Sequence, residues 1–311
     1  MFTLHISSQL SSCVRRGLAL SWVLVAMALA TQAQTQAACT FNFFSPTTPF
    51  KLPDGTPIFM QPIGINDFGT IVGATSVGTT RGLIRWANGS VTHVKGTSAL
   101  TARNDHGASV GWGLTVLEGI LAHSTTVTPI VLDVNNGGIT EVNGINRWGT
   151  IIGRYIPPDL DSSNIQAFLR FNNGTTHTLE FPGAAEGHTD VLGINDNGFV
   201  VGAYNNSDYV WHGLIFHKGT WATLDYPNTS DDGSYTFLTG ISNAGKIIGK
   251  AFVRSSRTPF LFLYENGTFK VISIPHADPS VAELRSISPK LGLILGVTGD
   301  PANPAFIAQC Q

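Results

Sequence analysis

One ten-residue phrase returns along the whole chain, and it restricts the fold more than any other feature. It reads Gly64-Ile65-Asn66-Asp67-Phe68-Gly69-Thr70-Ile71-Val72-Gly73. It returns closely from Gly144 to Gly153, from Gly193 to Gly202 and from Gly240 to Gly249. Looser copies run from Ala102 to Gly111 and from Ser286 to Gly296. Asn-Asp-x-Gly is a turn between two strands, because these residues tolerate turn backbones and bond their own main chain. Each unit has a second half, such as Ala167-Phe168-Leu169-Arg170-Phe171 followed by Asn173-Gly174. Phe260-Leu261-Phe262-Leu263 followed by Asn266-Gly267 is another. Asn-Gly between apolar runs is the strongest short hairpin signal. Each unit is therefore four strands, A to D, and four-stranded units repeating every ~40–50 residues indicate a β-propeller. The expected fold is all-β: a six-bladed propeller of four-stranded blades.

The sixth unit ends after its C strand at Ala305-Phe306-Ile307-Ala308. Its D strand is supplied from the other end, where Asn42-Phe43-Phe44-Ser45-Pro46 matches Thr178-Leu179-Glu180-Phe181-Pro182. That register sets Cys39 at the place of Thr175 and Cys310 at the place of Asn172. These positions flank a hairpin turn, close enough for a Cys39–Cys310 disulfide. The bond would replace the missing hairpin.

Composition agrees. Of 311 residues, 34 are Gly and only 12% are charged, against ~25% in an ordinary soluble protein. Net charge is −2, with no basic block, so nucleic acid is not an expected partner. The first 33 residues read as a secretory signal: Arg15 and Arg16, an apolar run, then small residues around Ala28, Ala30 and Ala33. Cleavage could extend to position 38, leaving 39–311 as one propeller with no membrane attachment. An uncleaved anchor, or lipidation at Cys39, is the less favoured reading. The expected location is extracellular, with the periplasm as the alternative, and a disulfide suits either.

The pattern resembles the HAF-repeat family of extracellular repeats, named for a His-Ala-Phe motif. Gln166-Ala167-Phe168 and Pro304-Ala305-Phe306 keep Ala-Phe, and His212-Gly213-Leu214 keeps the His. The resemblance implies an exported β-propeller and carries no particular activity, and no copy here holds all three letters.

Motif matches dissolve in the repeat register. Gly107-Ala108-Ser109-Val110-Gly111 fits a nucleophile elbow, but Ser109 falls inside strand B with no helix to follow. The nine His lack metal spacing, so no metal is expected, and no cofactor. Asp67, Asp105 and Asp196 recur at one turn position and are read as turn formers.

Loop length points to a face. The A–B and C–D turns are short, whereas B–C and D–A connections are long and variable. In a propeller those long connections emerge together, and variation on one face marks a binding face. That face gathers Asp159, Asp161, Glu186, His188, Asp190, Asp208, Asp231, Asp232 and Asp278. It also carries Arg254, Arg257, Tyr204, Tyr209, Trp211 and Tyr235. Aromatics beside charged groups suit a polysaccharide or a protein ligand. The expected function is a secreted, non-catalytic binding or scaffolding module. The alternative is a glycan-directed hydrolase with Glu186 and Asp190 or Glu283 as its carboxylate pair.

Overall fold

The computed structural model describes residues 35–75, 80–114, 118–124, 126–132, 138–158, 165–185, 188–208, 210–229, 233–257, 259–302 and 304–311. The signal segment, Asp159, Asp161, Glu186, Tyr209, Asp231 and Asp232 lie outside them. Residues Gln34–Gln311 form one compact unit. Every regular element among the described residues is a strand.

The chain opens with β1 (Thr35–Gln36), β2 (Cys39–Phe44) and β3 (Thr47–Lys51). Antiparallel meanders follow. The first is β4 (Pro57–Ile65), β5 (Ile71–Thr75), β6 (Gly82–Arg85) and β7 (Val91–His93). The second is β8 (Thr97–Arg103), β9 (Ala108–Gly113), β10 (Gly119–His123) and β11 (Thr126–Ile130). The third is β12 (Ile139–Ile145), β13 (Ile151–Ile156), β14 (Gln166–Arg170) and β15 (Thr176–Leu179). The fourth is β16 (Thr189–Ile194), β17 (Val200–Asn205), β18 (Trp211–His217) and β19 (Thr220–Thr223). The fifth is β20 (Tyr235–Ile241), β21 (Ile247–Phe252), β22 (Pro259–Glu265) and β23 (Thr268–Val271). The last is β24 (Glu283–Ile287), β25 (Ile294–Val297) and β26 (Ala305–Cys310), completed by β2 on the edge of β26. Hydrogen bonding groups these strands into five sheets, because a single parallel bridge, Trp211 to Tyr235, joins the fourth and fifth meanders. Each first strand packs on the preceding meander, and β24 and β25 pack on β4, so the ring closes as a β-propeller.

The core lies between blades. Val110 and Ile130 of the second meet Val142, Ile145, Ile151 and Phe168 of the third in one buried cluster. Flat apolar faces meeting face to face leave little room for charge, which accounts for the low charged fraction.

Two concentric sets of bonds tie the blades at the A–B turns. Each turn Asn is buried, and its Oδ1 accepts from the N–H groups two and four residues on, as Asn195 does from Asn197 and Phe199 at 3.0 Å. In three of them Nδ2 donates to the next blade: Asn104 to Asn146 O at 3.0 Å, Asn146 to Asn195 O at 3.2 Å, Asn195 to Ser242 O at 2.9 Å. The following Asp accepts from the blade before. Asp67 takes Lys290 N and Leu291 N, Asp105 takes Asp67 N, and Asp196 takes Arg147 N. The recurring Asn-Asp is thus more than a turn former: it clamps neighbouring blades. Asn195→Ala would leave the part-buried N–H groups of Asn197 and Phe199 without their acceptor and cut the tie to Ser242 O, which keeps only Gly245 N. We expect it to destabilise by about 3–5 kcal/mol in urea unfolding, against under about 1 kcal/mol for the exposed hairpin residue Asn173→Ala.

Three details depart from the sequence reading. First, β2 sits one residue off the expected register: Phe44, not Phe43, occupies the place of Leu179, and Cys39 lies directly opposite Cys310. No C–D turn spans this blade, so the disulfide (Cα–Cα 4.1 Å) stands in for the turn that sets register elsewhere. Second, β1 pairs in parallel with β23, and Ala37 is buried in the fifth–sixth blade core, so the propeller's ordered contacts begin before Cys39. Third, among the described C–D turns only two have both central residues at positive φ. Lys218-Gly219 and Asn266-Gly267 do so, whereas at Asn88-Gly89 and Asn173-Gly174 the Gly alone does.

Candidate functional site

The first strand of every blade carries a β-bulge at the same place. The ladder slips at Pro62/Gly64, Leu100/Ala102, Val142/Gly144, Val191/Gly193, Leu238/Gly240 and Leu284/Ser286. A bulge leaves one residue unpaired and re-aims its side chain. The six bulged residues are Ile63, Thr101, Asn143, Leu192, Thr239 and Arg285, and all six line one cavity of about 570 Å³ on the propeller axis. The polar three also fasten the ring. Thr101 Oγ1 donates to Val142 O at 2.7 Å, Asn143 Nδ2 to Val191 O at 2.8 Å, and Thr239 Oγ1 to Leu284 O at 3.0 Å.

Toward the B–C and D–A loops the cavity wall turns aromatic and charged. Trp112, Tyr235 and Phe237 line it with Lys250, Glu283 and Arg285. Tyr235 and Phe237 meet edge to face at 5.5 Å, and Trp211 lies 5.2 Å from Phe237. His188 approaches Trp211 at 6.2 Å. The structure therefore brings together three residues picked out by sequence, His188, Trp211 and Tyr235, in one aromatic string running from the fourth blade to the channel. Glu283 Oε2 bonds Arg285 at 2.7 Å, with both side chains about two-fifths exposed.

Other selected residues do different work. Tyr204 is no exposed platform: it is buried, stacked on Phe181 at 3.7 Å, with its hydroxyl 3.0 Å from Thr223 Oγ1. Its partner across the strands, His212, is the one His of the resembled motif. His212 Nδ1 lies 2.7 Å from Asp225 Oδ2, and Nε2 lies 3.2 Å from Asn206 Nδ2, so this ring bolts strand C to the loop beside it. Asp208 and Asp278 are exposed: Asp208 N donates to Asn206 Oδ1, and Asp278 Oδ1 caps its turn by accepting from Ser280 N. Arg254 and Arg257 are exposed on the loop after β21, away from the cavity lining. Ser109 is buried, and its hydroxyl accepts from Arg103 at 2.8 Å, which makes it a strand residue and not a nucleophile.

Asp190 sits at the seam of the third and fourth blades, not beside Glu283. Arg154 bridges it to Glu141, with Nε 2.6 Å from Glu141 Oε2 and NH1 3.7 Å from Asp190 Oδ2. The Asp190 side chain keeps 21% exposure through Oδ2, while Oδ1 is sealed and meets no partner. Desolvation raises its pKa above the usual 3.8, and Glu141 adds to the rise, outweighing the pull of Arg154. A carboxyl raised on folding holds its proton more tightly in the native state. Its stabilising contribution is therefore present at low pH and lost as pH climbs through the raised value. Asp190→Asn should consequently flatten the stability profile above the usual 3.8, where wild type declines relative to it until the raised pKa is passed. Urea midpoints across that range check this, and parallel profiles would contradict it.

Among the described residues no cluster of three or more His, Cys, Asp or Glu side chains could hold a metal. No family model and no curated protein matches the chain. Solved structures do resemble it. A putative gluconolactonase superposes with a TM-score of 0.53 at 10% identity, over 89% of this chain and 94% of that one. A streptogramin B lyase superposes with a TM-score of 0.50 at 10% identity, over 88% of this chain and 98% of that one. At such identity the likeness concerns architecture alone, and by that architecture the chain is a β-propeller.

Proposed function

We propose that this is an exported, non-catalytic binding propeller of six blades, related to the HAF-repeat proteins, whose ligand enters the axial channel from the loop side. The observation that carries the reading is the channel mouth itself. Trp112, Tyr235 and Phe237 offer apolar ring faces beside Lys250, Glu283 and Arg285, in a cavity of about 570 Å³. Ligand sites commonly combine an apolar wall with a few convergent polar groups. The Cys39–Cys310 disulfide is the kind of bond an exported protein keeps. The hydrolase alternative pairs Glu186, which lies outside the described residues, with Asp190 or Glu283, and each of those two is already tied to an arginine, which favours binding over acid–base work.

Calorimetry on the mature protein against soluble polysaccharides, peptidoglycan fragments and peptides tests this. Saturable binding without turnover is expected. Product formation from any of them, or no binding to any, would overturn the reading.

A further inference from the structure

The channel lining carries three cations, Arg103, Lys250 and Arg285, and one carboxylate, Glu283, in a chain whose net charge is −2. The cations differ in what they already hold. Arg103 NH1 donates to Gly107 O and Ser109 Oγ, both at 2.8 Å, and its guanidinium lies over Trp86. Arg285 is paired with Glu283. Lys250 meets no hydrogen-bond or ion-pair partner among the described residues. It stands directly across the ladder from Phe237, so a free ammonium sits beside an aromatic wall.

The bulge ring adds a second constraint. Thr101 and Thr239 spend their only hydroxyl hydrogen on carbonyls of β9 and β21 and of the next blade. Asn143 donates its amide to the next blade, and its Oδ1 accepts from no described residue. At Thr101, Asn143 and Thr239 the waist of the channel therefore presents acceptors, and acceptors call for a ligand rich in O–H donors. A ligand meeting all three demands carries hydroxyls around its rim, an apolar ring face and an anionic group.

Resting on the binding reading above, we infer that the channel takes a uronic-acid-containing glycan, with the uronate carboxylate on Lys250 and the pyranose ring against Tyr235 and Phe237. Hydroxyls around a pyranose reach acceptors spaced around a ring, which the N–H groups of an acidic peptide, strung along one line, do not.

The test is calorimetry of the mature protein with polygalacturonate oligosaccharides, the same oligosaccharides after carboxyl reduction, and poly-glutamate. The acidic oligosaccharide should bind at least about tenfold tighter than the reduced one, and its affinity should fall as salt rises. Lys250→Gln should remove that preference, and Lys250→Arg should restore it. Equal binding of acidic and reduced sugars, or an unaltered preference in Lys250→Gln, would overturn the anion site while leaving a binding module in place. Binding of poly-glutamate in preference to either sugar would overturn the glycan assignment. Failure of every probe here and in the wider panel would overturn both.

Discussion

Replacing Cys39 and Cys310 together by serine is expected to destabilise the protein by about 5 kcal/mol, the largest effect of any change outside the core. The bond joins residues 271 apart, so it closes almost the whole folded chain into one loop. In the chain-entropy model the penalty removed from folding grows with the logarithm of loop length, and this loop is near the long extreme. The bond also holds the one blade assembled from both chain ends. Six β2–β26 residue pairs must hold this seam with no turn behind them once it is gone. At roughly 2–4 °C per kcal/mol for a chain of this size, the double variant should melt about 10–20 °C lower. Calorimetric melting of oxidised wild type, reduced wild type and the variant checks it. A melting point within about 3 °C of wild type would mean that strand pairing and the Phe41, Phe43 and Phe306 cluster close the ring unaided.

The second large effect concerns a glycine that needs no unusual backbone. Gly202 ends the repeated phrase of the fourth blade, inside β17 opposite Val191. A Cβ there would overlap the carbonyl oxygen of Asp190 and come within 3.0 Å of Val191 Cα. The bulge causes this, since it swings the backbone of the first strand toward the second. Gly73, Gly111, Gly153, Gly249 and Gly296 meet the same carbonyl in their own blades. Backbone cannot step aside as a side chain can, so Gly202→Ala should cost about 3 kcal/mol or more. Gly198, four residues earlier, is the contrast. It holds φ +82° with nothing within 4 Å of where a Cβ would stand, so Gly198→Ala should cost only the left-handed penalty of about 1–2 kcal/mol. Equilibrium urea unfolding of the two variants separates them. Equal losses would mean that the bulge does not dictate the glycine.

These two glycines mark where the sequence was readable and where it was not. The turn Gly, the positions of the C–D hairpins and the split last blade follow from local turn chemistry and from counting strands, and the structure agrees with them, though not with one backbone type for every Asn-Gly turn. The bulge ring was hidden because a bulge has no composition of its own. Its trace was the last Gly of each phrase, at a strand position where no turn required one. The β2 register slipped by one residue because matching Phe43 or Phe44 to Leu179 satisfies the apolar pattern equally, and only pairing distinguishes them. β1 was missed because Thr35–Gln36 is too short to show alternation.

The candidate site divides in the same way. Loop length pointed to the end of the blades where the aromatic and charged channel mouth lies, and Tyr235 and Glu283 do line the channel. Yet among the described residues the lining comes mainly from the inner strands. Tyr204 looked like a ligand platform because an aromatic near a loop carries no sign of which face it packs on. Trp112 and Lys250 went unnoticed because both sit inside second strands, where sequence reading expects packing and not contact with a ligand.

The most direct test of the central claim is a crystal structure of the mature protein with the oligosaccharide that binds it best. The account predicts sugar density at the loop-side mouth of the channel, against Tyr235 and Phe237 and within reach of Lys250. Density on the opposite face, beside the exposed rings of Phe68 and Trp148 at the A–B turns, would contradict it.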